Sequence, residues 1–220
     1  MKQIIVAKLK LSTSPAQYQA LRTTQLAYRD ALNLVSVYAF EHGKLSNQQK
    51  LQKACYDTIR QQFALPAQMA YNVPRQVGAT YKGLWTKVKK NKQHRQAGYT
   101  KKRYKGLDQA PHYTSPTLTY NYGRDYGFKN DQQVSVLTLT GRIILPYLGY
   151  APHVALLKTS KALGAAKLWF DKPHQQFYLL VSIELTLPDP DPTQHTRVAG
   201  VDVGQRNTAV VADLDETSEF

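Results

Sequence analysis

Residues Lys2 to Leu11 alternate, with Ile5, Ala7, Leu9 and Leu11 on one side and Lys8 and Lys10 on the other. That period of two is the signature of a half-buried strand. A strand cannot hold itself in water, and even a two-stranded hairpin is marginal, so this one needs partners. No strand pattern returns until after Pro111. The chain must therefore fold back onto its own beginning, and whatever lies between is an insertion.

The insertion reads as helical. Ser14-Pro15 places a capping hydroxyl before a proline at the first helical position. Tyr18, Leu21, Gln25, Tyr28, Leu32, Val35 and Ala39 then follow in steps of three and four as far as His42-Gly43, a long amphipathic helix with a glycine stop. Ser46 opens a second helix carrying Leu51, Cys55, Thr58, Ile59 and Gln62 on one side. Leu65-Pro66 opens a third, whose stripe of Met69, Val73, Val77, Tyr81, Leu84 and Val88 runs into Lys89-Lys90. Pro74 lies within that stripe and is expected to kink or interrupt it. Three such helices with short connections make a small bundle. Cys55 is the sole cysteine, which excludes a disulfide framework and a cysteine zinc site among these residues. It reads as a small buried hydrophobe. The six histidines are scattered without ligand spacing, and none is assigned to a metal.

Charge sets the class of partner. With 29 Lys and Arg against 15 Asp and Glu, the formal net charge is +14, which calls for a polyanion: nucleic acid or an anionic membrane surface. No window approaches a transmembrane span, and the N-terminus lacks a signal-peptide core, so a cytoplasmic, nucleic-acid-associated protein is expected. The excess is concentrated. From Thr58 to Leu107 there is no Asp or Glu, while Lys82, Lys87, Lys89, Lys90, Lys92, Arg95, Lys101, Lys102, Arg103 and Lys105 accumulate, with Trp85, Tyr99 and Tyr104 among them. A merely solvated face carries acids for balance, so so one-sided a stretch points to phosphate contact. Asn91 to Gly106 has no apolar period and is expected to be a mobile loop when unbound.

After Pro111 the texture changes to short strands. Thr117 to Tyr122, Val134 to Leu139, Arg142 to Pro146, Ala165 to Phe170 and Phe177 to Leu187 alternate or are rich in β-branched and aromatic residues, with reversals at Thr140-Gly141 and Lys172 to His174. This spacing suggests an antiparallel barrel, which the N-terminal strand would close. The division expected is a barrel from 1–11 and 112–187, a helical insertion with a basic loop over 12–111, a stiff Pro-Asp linker over 188–195, and a further piece over 196–220. In that last piece Val198, Ala199, Val201 and Val203 form one apolar run and Thr208 to Ala212 another, joined by Gly204 to Asn207. Asp202 stands inside the first run, where a carboxylate needs a cation, a metal or a hydrogen-bond partner. Asp213, Asp215 and Glu216 follow the second run and read as a solvated turn.

The Ala199 to Gly204 motif, Ala-Gly-Val-Asp-Val-Gly, is similar both to the opening strand of a RuvC-type nuclease domain and to the phosphate loop of actin and heat-shock-type ATPases. The order of the whole chain favours the first. Leu-Pro-Ala-Gln at 65–68, Thr-Tyr-Lys-Gly-Leu-Trp at 80–85, a basic stretch, Leu-Thr-Gly-Arg-Ile-Ile-Leu-Pro at 139–146 and then the Asp202 motif together resemble the N-terminal portion of TnpB, the transposon-encoded RNA-guided nuclease related to type V CRISPR effectors. That resemblance implies an α+β chain: a wedge-type, OB-like antiparallel barrel with an inserted helical recognition bundle, followed by the first hairpin of a ribonuclease H-like RuvC domain. It implies guide RNA and double-stranded target DNA with a short adjacent motif as partners, and no membrane. Asp202 would be the first catalytic, Mg²⁺-binding carboxylate, and the remaining acids and any zinc-binding cysteines would lie beyond Phe220. These residues alone would then be inactive. By position Gln68 and Tyr71 would face base edges, with Gln able to pair with adenine, and the lysines and arginines from 82 to 105 would contact phosphates. A nuclease-dead RNA-guided binder, or a general nucleic-acid-binding module, is the alternative.

Overall fold

The computed structural model describes residues 2–115, 117–159, 163–188, 199–202, 210–213 and 217–219. The chain divides into two compact units, residues 4–185 and residues 1–3 together with 186–220. The larger is a mixed α/β body: a nearly closed antiparallel barrel of seven strands, with four helices among the described residues.

The N-terminal strand forms as its alternation requires. β1 (Lys2–Leu11) buries Ala7, Leu9 and Leu11 while Lys8 and Lys10 stay exposed. Its partners come from far along the chain. Leu9 to Leu11 pair with Gly149 to Tyr147 of β5 (Gly141–Gly149), and β7 (Gln176–Thr186) flanks its other side. The remaining strands are β2 (Leu118–Tyr120), β3 (Tyr126–Lys129), β4 (Gln133–Thr138) and β6 (Leu163–Asp171), in the order β2-β6-β7-β1-β5-β4-β3. β7 shows the pleat clearly, with Phe177, Leu179, Val181 and Ile183 buried and their neighbours half-exposed.

Two tyrosines span the gap between the edge strands β2 and β3. Tyr120 of β2 donates its hydroxyl to the Leu137 carbonyl on β4 at 2.7 Å, and Tyr126 of β3 donates to the Gly164 carbonyl on β6 at 2.7 Å. Both side chains are fully buried, and burial pushes both phenols well above their usual range, so they remain protonated donors.

α1 (Pro15–Glu41) begins at a complete capping box, in which Ser14 and Gln17 each accept the other's backbone N–H. Its buried stripe contains three polar residues, Thr24, Gln25 and Ser36, and each meets the backbone of another segment. Gln25 Nε2 donates to Leu168 O of β6, Thr24 Oγ1 accepts the Leu139 N–H, and Ser36 Oγ donates to Pro111 O. The first half of α1 thus lies on the barrel. Its second half packs on α3 (Ala67–Gln96), where Tyr28 Oη donates to Gln76 Oε1 and Tyr81 Oη to Ser36 O. α2 (Gln48–Phe63) completes the bundle with Leu51, Cys55 and Ile59 buried, and burial raises the Cys55 thiol to about 11. Gly78 allows α3 to approach the segment before α2, since a Cβ there would lie 3.0 Å from the Ser46 carbonyl oxygen.

The sequence expectations need correction at several points. Pro74 does not interrupt α3, which continues through it with Pro74 buried beside Val73 and Val77, so packing outweighs the single hydrogen bond that proline removes. The second helix is capped by Asn47, not Ser46, because the Asn47 carboxamide accepts the Lys50 N–H. Thr117 to Tyr122 contains only the short β2, after which the Asn121 carbonyl accepts three backbone N–H groups and turns the chain into β3, a strand the sequence pattern did not reveal. A short helix, α4 (Ala151–Thr159), was likewise unforeseen; its nine residues are too few for a clear period.

The smaller unit contains β8 (Ala199–Asp202), β9 (Val210–Asp213) and β10 (Thr217–Glu219), three antiparallel strands in the order β10-β9-β8. The two apolar runs pair antiparallel as β8 and β9. Asp213, expected in a turn, is instead the last residue of β9, paired with Ala199, and β10 extends the sheet beyond it. The 189–195 part of the linker, the Gly204 to Asn207 turn, Asp215 and Glu216 lie outside the described residues.

Candidate nucleic-acid interface

α3 changes character at Tyr81. Before it, Met69, Ala70, Val73, Val77 and Tyr81 build the bundle core; from Lys82 to Gln96, about four turns, no residue of the helix is fully buried. At 100° per residue Lys82, Lys87, Lys89, Lys90, Lys92 and Arg95 surround most of this projecting arm, and all six are exposed. Half-buried Leu84, Val88 and Asn91 mark the one covered side.

That side is covered by the chain on its way back. Asn91 Nδ2 donates to Lys102 O at 3.0 Å, and Asn91 Oδ1 accepts the Tyr104 N–H at 2.9 Å. Leu107 is buried beneath the return, whose Lys101, Lys102, Arg103 and Lys105 remain exposed. The expected loop over Asn91 to Gly106 is therefore corrected: 91–96 complete α3, and 102–107 lie back on it. Lys, Gln and Arg propagate a helix without any apolar period, and a side-chain amide clamp leaves no periodic trace.

Helix and return enclose an open cleft of about 320 Å³ lined by Lys44, Trp85, Val88, Asn91, Lys92, Arg95, Arg103, Tyr104, Leu107 and Asp108. Trp85 is 43% exposed, and its indole Nε1 donates to Lys44 O at 3.0 Å. Asp108 is the only carboxylate in this lining, and Arg103 holds it at 2.5 Å. Among the described residues, Lys92 and Arg95 have no carboxylate partner.

The other proposed readers, Gln68 and Tyr71, lie at the opposite end of α3, about 21 and 16 Å from Lys82 along the axis. Gln68 is already occupied at both ends of its amide. Oε1 accepts from Arg124 Nη1 at 2.8 Å, and Nε2 reaches Asn72 Oδ1 at 3.4 Å. Asn121 Nδ2 also meets Asn72 Oδ1, so these residues fasten α3 to the β2–β3 turn. Reading an adenine would require Gln68 to leave Arg124 and Asn72. Tyr71, 37% exposed, is the freer of the two. Sequence reasoning missed Lys44, Asn91 and Arg124; none stands in a periodic pattern, and each is brought in by tertiary contact.

Asp125, in the same turn, is fully buried. Its Oδ2 accepts the Asn121 N–H at 2.8 Å while Oδ1 has no hydrogen-bond partner. Burial raises its carboxyl above the ordinary range, against the opposing pull of that N–H and of Arg142 and Arg124. The folded state thus holds this proton more tightly than the unfolded one, and the contribution of Asp125 to stability falls as pH rises from about 4. Asp125→Asn retains an acceptor and does not titrate. Its stability relative to the parent is expected to be more favourable at pH 7 than at pH 3.5, measured by urea unfolding at both. An equal difference at the two pH values would mean that Asp125 titrates alike folded and unfolded.

Asp202 is the last residue of β8, in register with Val210. Asp213 is three register positions away, about 10 Å along the ladder. A two-metal centre needs several carboxylates around ions about 4 Å apart, so these two positions do not form one. Among the described residues no three His, Cys, Asp or Glu side chains come together, and no helix is long and apolar enough to cross a membrane.

No family model matches the sequence, and no curated protein matches it. Among solved structures, the chain is similar to a protein in the cryo-EM structure of the Cas12f1-sgRNA-target DNA complex, at 12% identity and a TM-score of 0.40, over 92% of this chain and 48% of that one. The chain spans about half the length of that protein. An overlap so loose assigns neither fold nor function.

Proposed function

We propose that this chain is the nucleic-acid-binding portion of a transposon-associated, RNA-guided DNA endonuclease of the TnpB type, gripping guide RNA and target DNA through the arm formed by α3 and its return. One observation carries the reading: ten exposed cations between Lys82 and Lys105, on a stretch without a carboxylate from Thr58 to Leu107. Fixed like charges at this density repel one another, and a polyanion relieves that repulsion while releasing its counterions. The ordered motifs at 65–68, 80–85, 139–146 and 199–204 narrow the polyanion to guide RNA and a target duplex with a short adjacent motif.

In this reading Asp202 belongs to a Mg²⁺-dependent RuvC site. Asp202 supplies one carboxylate where such a site needs several. The test is to purify the chain from cells and sequence the RNA that accompanies it. One structured RNA, enriched over total RNA and lost when the basic residues from Lys82 to Lys105 are neutralised, is expected. A heterogeneous mixture would favour a general nucleic-acid-binding module, and no RNA at all would remove the guide from the proposal.

A further inference from the structure

The cleft between α3 and its return differs chemically from the rest of the basic arm. Lysines on an open helix face can meet the phosphates of any duplex, but this cleft adds two aromatic rings, Trp85 and Tyr104, and an apolar floor of Val88 and Leu107. We propose that it is a seat for a single unpaired nucleotide, with the base stacked on Trp85 and its phosphate held by Lys92 and Arg95. The proposal rests on the nucleic-acid-binding reading above and goes beyond it by assigning a base-contacting site.

Four observations converge on this ligand. Trp85 is tethered through its indole N–H yet 43% exposed, a large flat apolar surface held in place and left uncovered. Lys92 and Arg95 supply positive charge that no carboxylate among the described residues neutralises, whereas the Asp108 carboxylate is engaged by Arg103. The volume, about 320 Å³, lies at the small end of the range for ligand pockets of about 300–1,000 Å³. Finally, the wall bearing Tyr104 is built rather than incidental. Asn91 clamps its backbone at two points, and Gly106 makes room for the ring, because a Cβ at 106 would overlap the Tyr104 side chain. A paired base in a stacked duplex has no free face to give to an indole; an unpaired base has one.

Fluorescence tests this directly. The chain has two tryptophans, so in W169F the emission comes from Trp85 alone. Three probes of equal length are compared by anisotropy and by Trp85 quenching: a single-stranded oligonucleotide, its blunt duplex, and an abasic single strand with phosphates but no bases. The single strand is expected to bind and quench, while the duplex and the abasic strand bind through charge without quenching. W85A should weaken single-strand binding about tenfold and leave the abasic strand unchanged, with W85F restoring most of the loss. Trp85 emission unmoved by a single strand that demonstrably binds, or quenched equally by the abasic strand, would overturn the nucleotide seat while leaving phosphate binding intact. Failure of all three probes to bind would overturn both.

Discussion

Replacing Lys89, Lys90 and Lys92 together with glutamine is expected to flatten the salt dependence of nucleic-acid binding. On logarithmic axes the slope should fall by about 2 on single strands and nearer 3 on duplex, and affinity at physiological salt by roughly one to two orders of magnitude. The loss should be the same for every sequence, since phosphate contacts position without specifying. The three positions fan out around the exposed turns of α3, with Lys92 also on the cleft wall. A slope reduced by only about 1 would therefore mean that the polyanion lies on one side of the arm, and an unchanged slope would contradict phosphate contact there. Folding should not suffer. All three side chains are exposed, glutamine is a comparable helix former, and removing adjacent like charges relieves repulsion.

The largest effect on stability is expected at the barrel seam. Tyr126→Ala should cost about 3–5 kcal/mol, because it empties a fully buried ring site and leaves the Gly164 carbonyl without its donor. Tyr126→Phe keeps the ring, and with it the edge contacts to Tyr122 and Phe128, and should cost about 0.5–1.5 kcal/mol, the hydrogen bond alone. Denaturant unfolding of the two variants separates packing from the hydroxyl. Equal costs would mean that the hydrogen bond across the seam dominates; a negligible cost for Tyr126→Ala would mean that the seam does not hold the barrel.

Much of this architecture is legible in the amino acids. The alternation from Lys2 to Leu11 demands distant partners, and β5 and β7 supply them. Ser14-Pro15 and the stripe from Tyr18 to Ala39 become α1, with its capping box. Both signals are local and periodic, so neither depends on what the rest of the chain does. The basic arm is legible as composition and, as far as Lys89-Lys90, as the end of the third helix's apolar stripe. That ten cations face solvent follows from their chemistry; that the helix continues to Gln96 and the chain docks back on it does not, because beyond Val88 there is no apolar period to register.

The residues that close and shape the molecule are those whose partners lie far away. Tyr120 and Tyr126 are two of fifteen tyrosines, and nothing local distinguishes them. Only the curvature of the sheet brings their hydroxyls to carbonyls across the seam. Asn33 and Asn91 are alike in this. One clamps the backbone of Tyr113 and the other that of Lys102 and Tyr104, and each makes a wall from a stretch that would otherwise read as loop. The sequence by itself determined the periods, the cap of α1 and the sign and place of the charge, because these follow from side-chain size, backbone preference and ionisation within a few residues. The tertiary structure alone decided the barrel seam, the reach of α3 and the cleft around Trp85. These rest on single hydrogen bonds and close contacts between distant segments, which come into being only when hydrophobic burial has brought those segments together.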